Sequence, residues 1–176
     1  MAIETSTRDL VRGALLEHWQ RLYGYALSQT RDRDRAADVL QQAALQGLAA
    51  RDPPVDARAL RAWLFRIVRN VAVDTHRREA VRHQEEACEA EPAIWSYDDR
   101  VIAGVTVSQG LERIADTHRE IIDLVDLHGF RYAEAAEILG IAEGTVMSRL
   151  SRARKALLDA INGNVVVIEQ SRRRHS

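Results

Sequence analysis

Small and cationic side chains share one face of a helix that is predicted to begin near Glu143. Apolar residues spaced four, three and four apart predict its inward stripe, which is Val146, Leu150, Ala153 and Leu157. At about 100° per residue, the outward face then carries Gly144, Ser148, Ser151, Arg152 and Lys155. Small residues let a helix backbone approach DNA closely, while Ser and Arg donate hydrogen bonds to base edges and phosphates. The pattern therefore predicts a helix that enters a DNA groove.

A short helix and a tight turn precede that helix. The first helix is predicted over Ala133 to Leu139. Gly140 follows it, and glycine ends a helix at positive φ without steric cost. Ile141 can fill the space beneath the turn. The run from Tyr132 to Lys155 thus has the layout of a helix-turn-helix. Taken alone, a solvated helix pair in an ordinary bundle is the alternative.

A second stripe of cations lies on a helix predicted from Ala57 to about Arg82. Its inward positions are Leu60, Trp63, Leu64, Ile67 and Val71. Its outward stripe is Arg66, Arg69, Asn70, Val73 and Arg77. Arginines hold phosphates, an amide can pair with a base edge, and a small apolar side chain can lie against a base or sugar. The loop over 51–58 could clamp an unstacked base. A solvated amphipathic helix is the alternative here too.

Composition limits the possible classes of protein. The 176 residues are rich in Ala, Leu, Arg and Glu, with three Pro, which predicts one or two small and nearly all-α domains. Cys88 is the single cysteine, so an internal disulfide is excluded, and no Cys/His cluster suggests zinc. We find no pattern typical of a catalytic triad, metal site or phosphate loop, and we expect neither enzymatic activity nor a cofactor. The absence of a long apolar run and of signal-peptide features predicts a soluble, cytoplasmic protein without membrane insertion.

Charge is segregated along the chain, although the net charge is only −1. Residues 79–110 carry two basic and seven acidic side chains. Within them, Gln84 to Asp99 is acidic, includes Pro92 and lacks a steady period, which predicts a linker. The predicted units are 1–82, a linker over 83–106, a helix-turn-helix unit over 107–162 and a tail over 163–176. Further helices are expected over about 7–29, 35–50 and 107–128, and Asn162-Gly163 is expected to end the last helix. The predicted fold is all-α, with two small helical domains joined by an acidic linker.

Four segments together resemble a bacterial extracytoplasmic-function (ECF) sigma factor of the sigma-70 family. RAWLFRIVRNVAVDTHRR resembles the family's promoter-melting segment, and YAEAAEILGIAEGTVMSRLSRAR resembles its region-four motif. HREIIDLVDLHGF resembles the helix before that motif, and DRDRAADVLQQAALQG resembles the helix that grips core RNA polymerase. Together they cover most of residues 8–162. The resemblance implies a first domain that binds the polymerase clamp and melts the −10 element, and a second that binds the −35 element.

The resemblance also implies roles for single residues. The implied −35 contacts are Met147, Ser148, Ser151, Arg152 and Lys155. The implied −10 contacts are Arg66, Arg69, Asn70, Val73 and Arg77. The implied polymerase contacts are Asp38, Gln41 and Gln42.

Some positions depart from the family pattern. Met147 stands where Lys or Arg is usual, and Arg131 stands where a Ser or Thr helix cap is usual. Gln42 and Ala44 replace a Glu and an aromatic residue, and Ala115 replaces a common Pro. These departures bear on the −35 sequence and on the strength of core binding, and not on the fold.

Core RNA polymerase and promoter DNA are the partners implied by the resemblance. An anti-sigma factor that covers one or both DNA faces is also expected, and Trp95 and Tyr97 are candidate anchors for it. Self-inhibition, with acidic linker residues lying over the Arg66–Arg77 stripe, is a second way in which the free protein could be held inactive.

Two other classes of protein compete with this interpretation. A stand-alone helix-turn-helix regulator leaves the stripe over 59–78 unused, and a sigma-mimicking interaction protein would need none of the DNA-suited arginines.

Overall fold

A computed structural model of the protein describes residues 2–83 and 101–174, with side chains described over 7–78 and 107–162. Every regular element in these ranges is a helix, which confirms the predicted all-α fold. Cys88, Trp95 and Tyr97 lie outside the described residues, as does most of the predicted linker.

Three helices form the N-terminal unit, namely α1 (Ala2–Thr30), α2 (Arg33–Ala49) and α3 (Ala57–His83). Asp32 caps the start of α2, where its carboxylate accepts a hydrogen bond from the backbone N–H of Arg35 at 2.9 Å. Pro53 and Pro54 lie in the turn before α3, as their lack of a backbone N–H predicts. The largest buried side chains of this unit are Val11, Leu22, Tyr25, Val39, Leu40, Leu64, Phe65 and Val68.

The C-terminal unit contains α4 (Val101–Arg113), α5 (Asp116–Ile122), a π-helical turn (Asp123–Leu127), α6 (Tyr132–Leu139) and α7 (Glu143–Arg174). The prediction of one continuous helix over 107–128 is wrong. Ala115 takes an extended backbone (φ −56°, ψ 144°) between α4 and α5, and its carbonyl accepts hydrogen bonds from the N–H groups of His118 and Arg119. Ile114, directly before the break, is buried in the core.

The last helix does not end where the sequence predicted. α7 continues through Asn162 and Gly163 to Arg174, so the predicted helix end at Asn162-Gly163 is wrong. A single glycine costs a helix only about 1 kcal/mol relative to alanine, and no proline follows it to remove a helical N–H.

The helix-turn-helix forms as predicted. Gly140 has φ 67° and lies in the left-handed region, and the N–H of Ile141 donates to the carbonyl of Ala136 at 3.1 Å. At the start of α6, the carboxylate of Glu134 accepts a hydrogen bond from the backbone N–H of Arg131 at 2.7 Å. Arg131 has no acceptor in its side chain, so Glu134 alone caps this helix. The predicted inward stripe of α7 is confirmed by the burial of Val146, Leu150 and Ala153.

Candidate nucleic-acid interface

The outward side of α7 is open to solvent. Its exposed members, which we call the recognition face, are Met147, Ser148, Ser151, Arg152 and Lys155. Ser148 Oγ donates to the carbonyl of Thr145 at 3.1 Å, and Arg152 Nε donates to the carbonyl of Ser148 at 3.2 Å. The exposed guanidinium of Arg152 offers further N–H donors. The structure therefore groups all five predicted residues on one accessible face.

An ion pair holds α7 from the side opposite Arg152. Arg154 donates through Nε and Nη2 to the two carboxylate oxygens of Asp126, at 3.0 and 2.5 Å. These hydrogen bonds raise the pKa of Arg154. A bidentate pair has a defined geometry, and this contact joins α7 to the π-helical turn. The burial of Val146, Leu150 and Ala153 on the inward side of α7 leaves the recognition face outward.

The predicted stripe on α3 is only partly accessible. Arg66, Asn70 and Arg77 are exposed, and Val73 is half-buried. Arg69 differs from these, because its side chain is only 25% exposed and its Nε donates to Glu120 Oε1 on α5 at 2.7 Å. The structure thus joins one member of the stripe to the C-terminal unit.

Glu120 is the centre of this contact between the two units. Its Oε1 also accepts a hydrogen bond from the buried Tyr25 hydroxyl at 3.3 Å. Burial, and then the charge of Glu120, raise the pKa of Tyr25 well above its ordinary value, so the phenol remains a donor. A buried carboxylate needs an opposite charge and hydrogen bonds, and Arg69 and Tyr25 supply both.

A second contact between the units is built around Arg61 of α3. Its Nη2 donates to the carbonyl of His128, and its guanidinium carbon lies 4.2 Å from the centre of the Phe130 ring. The His128 ring packs edge-on against Phe65, with centroids 4.9 Å apart. Burial, and then the positive charges of Arg61 and Arg21, lower the pKa of His128 to about 4. The imidazole is therefore neutral at pH 7.

The three predicted polymerase contacts lie on α2, and all are exposed. Asp38 and Gln42 line a groove of about 310 Å³ between α2 and α3. The other lining residues are Val39, Gln46, Val71, Asp74, Thr75 and Arg78. Gln41 is not among the residues that line this groove, so the structure brings two of the three together there.

The sequence interpretation missed the residues that join the two units. Tyr25 of α1 was assigned no role from the sequence, yet it is fully buried and bonded to Glu120. Glu120 and Arg61 look like ordinary solvated charges in their own helices. The sequence signal for the buried position of Glu120 is weak. Glu120 directly precedes the apolar pair Ile121-Ile122, and a carboxylate in that position can face either solvent or a partner.

The described residues contain neither a helix suited to cross a membrane nor a cluster suited to bind a metal ion. Among those residues no helix combines the length and the apolar character that crossing a membrane requires. No group of three or more His, Cys, Asp or Glu side chains in that part of the chain could hold a metal ion.

Two family models match the chain, one on each unit. The model described as Sigma-70 region 2 matches residues 15–82, and that described as Sigma-70, region 4 matches residues 107–157. The ECF RNA polymerase sigma factor SigL of Mycobacterium tuberculosis is 34% identical over 155 residues, which cover 84% of this chain and 86% of SigL. The ECF RNA polymerase sigma factor EcfG of Rhodopseudomonas palustris is 32% identical over 152 residues, which cover 85% and 83% of the two chains.

Solved structures share the fold. The sigma factor RpoE of Bartonella quintana, in complex with the anti-sigma factor NepR, has a TM-score of 0.67 and 27% identity, covering 86% of this chain and 96% of that chain. CnrH, in complex with the cytosolic domain of CnrY, has a TM-score of 0.60 and 24% identity, covering 89% and 97% of the two chains.

Proposed function

This chain belongs to the ECF sigma factors of the sigma-70 family, and from that premise we propose that it directs core RNA polymerase to promoters through the outward sides of α3 and α7. The observation that carries the proposal is the recognition face. Its residues are small or cationic or, at Met147, uncharged, and all are exposed on a well-formed helix-turn-helix. The buried stripe of Val146, Leu150 and Ala153 on the opposite side of α7 leaves this face outward.

The recognition face suits the major groove of the −35 element. Arg152 can donate two hydrogen bonds to the edge of a guanine, and Ser148 and Ser151 can bond bases or phosphates. Lys155 supplies a charge for the backbone. Met147 can make an apolar contact, for example with a thymine methyl group. A Lys or Arg at this position would instead have contacted a phosphate. Because the chain's net charge is −1, the attraction of the protein to duplex DNA by charge alone is weak.

The exposed part of the α3 stripe suits an unpaired −10 strand. The amide of Asn70 can pair with a base edge, and Arg66 and Arg77 on either side can hold phosphates. Val73, half-buried beside them, offers an apolar surface to a base or sugar. Arg69 joins this set only when it is released from Glu120.

The exposed side of α2 is proposed as the contact with core polymerase. Asp38, Gln41 and Gln42 present a carboxylate and two amides to solvent. The groove that Asp38 and Gln42 share with α3 gives a partner helix a polar concave surface. At position 42, the Gln amide can contribute hydrogen bonds to this contact, whereas a Glu would also have contributed a negative charge.

An anti-sigma factor is proposed as a third partner, and the cytoplasm as the location. Support comes from RpoE of Bartonella quintana, whose structure was solved with the anti-sigma factor NepR. The candidate anchors Trp95 and Tyr97 remain predictions, since they lie outside the described residues.

Run-off transcription tests the proposal. The purified protein with core polymerase is expected to give transcripts from a subset of a genomic promoter library on which core polymerase alone is silent. The protein alone is not expected to shift the same duplex fragments, because its attraction to DNA by charge is weak. A lack of transcripts together with no co-purification with core polymerase would contradict the proposal. A strong shift by the protein alone would favour a stand-alone regulator.

Replacing Arg152 with alanine is expected to weaken recognition of the −35 element by about 1–3 kcal/mol, the value of one good base contact. Run-off assays on matched promoters with intact and scrambled −35 elements measure the loss. The control is Arg12→Ala, which removes an exposed arginine of α1 and should leave both promoters unaffected. An equal loss on the intact and scrambled promoters would assign Arg152 to phosphate binding or to the fold.

A further inference from the structure

Arg131 begins the helix-turn-helix with a side chain that takes no part in folding it. Its carboxylate neighbour Glu134 caps α6 through the Arg131 backbone, and the Arg131 side chain is exposed. No ion pair joins its guanidinium to a carboxylate within the described ranges. Since a guanidinium is always charged and only donates hydrogen bonds, this side chain is suited to bind an anion from outside the chain.

The backbone of Arg131 is held in place on both sides. The N–H of the buried Phe130 donates to the carbonyl of Leu124 at 3.0 Å, which ties the preceding residue to the π-helical turn. The N–H of Arg131 donates to Glu134 Oε2 at 2.7 Å, and its carbonyl accepts from the N–H of Ala135 at 2.9 Å. The long side chain therefore extends from a fixed point on the surface.

That fixed point lies beside the recognition face. α6 packs on α7, and Tyr132, the residue after Arg131, lies near enough to Arg154 for the two side chains to interact electrostatically. Arg154 follows Ser151 and Met147 of the recognition face by three and seven residues. Residues at these spacings share one side of a helix. Arg131 therefore flanks the recognition face on the side of Met147 and Ser151.

This flank of α7 has little positive charge to offer DNA. Met147 and Ser151 are uncharged, and Arg154 already donates to both carboxylate oxygens of its ion-pair partner. The exposed Arg152 lies on the opposite flank. Arg131 thus places a cation where the recognition face itself supplies none.

A helix in the major groove meets phosphates on both flanks. The groove is about 12 Å wide, and a helix with its side chains is about 10–12 Å across, so the two backbones run close to its sides. In a helix-turn-helix, the first helix crosses one of these backbones while the second lies in the groove. The start of α6 therefore comes close to the phosphates on the Met147 flank.

We propose that Arg131 is a positioning residue that binds a phosphate of the −35 element on the Met147 side of the recognition face. This inference rests on the proposed promoter function. A phosphate contact fixes the register of a helix on the duplex but carries no sequence information. Arg131 on α6 supplies the cationic contact on this flank, so position 147 on α7 can be given to an apolar contact with a base.

Replacing Arg131 with alanine tests the contact through its salt dependence. Fluorescence anisotropy measures the binding of a promoter duplex to the complex of core polymerase and this protein between 50 and 200 mM salt. Loss of one phosphate contact should make the plot of log affinity against log salt concentration shallower by about 0.9. We expect binding to weaken about tenfold at 50 mM salt and about threefold at 200 mM salt. Discrimination against single-base changes in the −35 element should be unchanged.

Two further variants separate charge from folding. Arg131→Lys keeps the positive charge and should keep the wild-type slope. Arg12→Ala removes an exposed arginine of α1 and should also leave the slope unchanged. Alanine at position 131 retains the backbone N–H that Glu134 accepts, so the midpoint of urea denaturation should not move. Weaker binding of Arg131→Ala without a change of slope would give Arg131 a structural role and overturn the proposal. An equal change of slope in Arg12→Ala would overturn it too.

The promoter function and the Arg131 contact fail in different ways. If the wild-type complex binds duplexes with intact and scrambled −35 elements equally well, the promoter function is wrong and the Arg131 contact is wrong with it. If the wild-type complex prefers the intact element while Arg131→Ala changes neither affinity nor slope, the promoter function stands and the phosphate contact is wrong.

Discussion

Replacing Leu150 with alanine is expected to lower the free energy of unfolding by about 2–5 kcal/mol, the usual result of deleting a buried leucine side chain. Leu150 is 2% exposed and lies on the inward stripe of α7 between Val146 and Ala153. The cavity loosens the helix that carries the recognition face. Transcription from promoters that depend on the −35 element should fall together with the stability measured by chemical denaturation.

Leu158→Ala is the matched control, because it makes the same substitution in the same helix at a side chain that is 57% exposed. Its effect should stay within about 0.5 kcal/mol, as for most surface changes. Equal destabilisation by the two variants would contradict the burial of the α7 stripe. A destabilised Leu150→Ala protein with unchanged dependence on the −35 element would separate α7 from promoter recognition.

Replacing Asp123 with asparagine is expected to raise the free energy of unfolding at pH 7.5 by about 1–3 kcal/mol. Burial raises the pKa of this carboxyl from 3.8 to about 6, and its Oδ2 has no hydrogen-bond partner among the described residues. A pKa rise of that size means that the ionised carboxyl destabilises the folded protein by roughly 3 kcal/mol. The amide removes the charge and can keep the bond with Ser28, while it loses the attraction to Arg119.

The gain in stability of Asp123→Asn over wild type should become smaller as the pH falls. Because the folded pKa lies above the unfolded value, the folded protein binds the proton more tightly. The penalty on wild type is therefore full above pH 6 and disappears as the pH falls towards 3.8. The difference between variant and wild type should shrink over the same window. His128, whose pKa is lowered to about 4, destabilises both proteins in acid and cancels from the difference.

Chemical denaturation at several pH values from 7.5 to 4.5 measures this difference, with Asp159→Asn as the control at an exposed carboxylate of α7. A difference that stays constant with pH would show that the Asp123 carboxyl does not titrate differently in the folded protein. A variant less stable than wild type at pH 7.5 would show that the ionised carboxylate stabilises the fold.

Most helices could be predicted because their signals are local. Gly140, the turn that contains Pro53 and Pro54, and the apolar stripe of α7 act within a few residues, and the structure places each where the pattern indicated. The two errors share a cause. The break at Ala115 and the continuation through Gly163 carry no strong local signal, since alanine permits a helix and one glycine does not end it.

The recognition face could be predicted because one helix places all its members. Residues at 147, 148, 151, 152 and 155 share a side by helical geometry, whatever packs behind them. The α3 stripe follows the same rule, and the sequence correctly placed its members on one helix. Whether each member is accessible is a separate matter, and α5 reduces the exposure of Arg69.

The sequence by itself therefore determined the helices, the helix-turn-helix and the two sets of DNA-suited side chains, because each depends on the spacing of residues within one element. The tertiary structure alone decided that Arg69 meets Glu120, that Tyr25 completes the pair, and that Arg61 reaches the His128 carbonyl. These partners are separated by 51, 95 and 67 residues. Contacts at such separations depend on how two units pack, and no local periodicity encodes that packing.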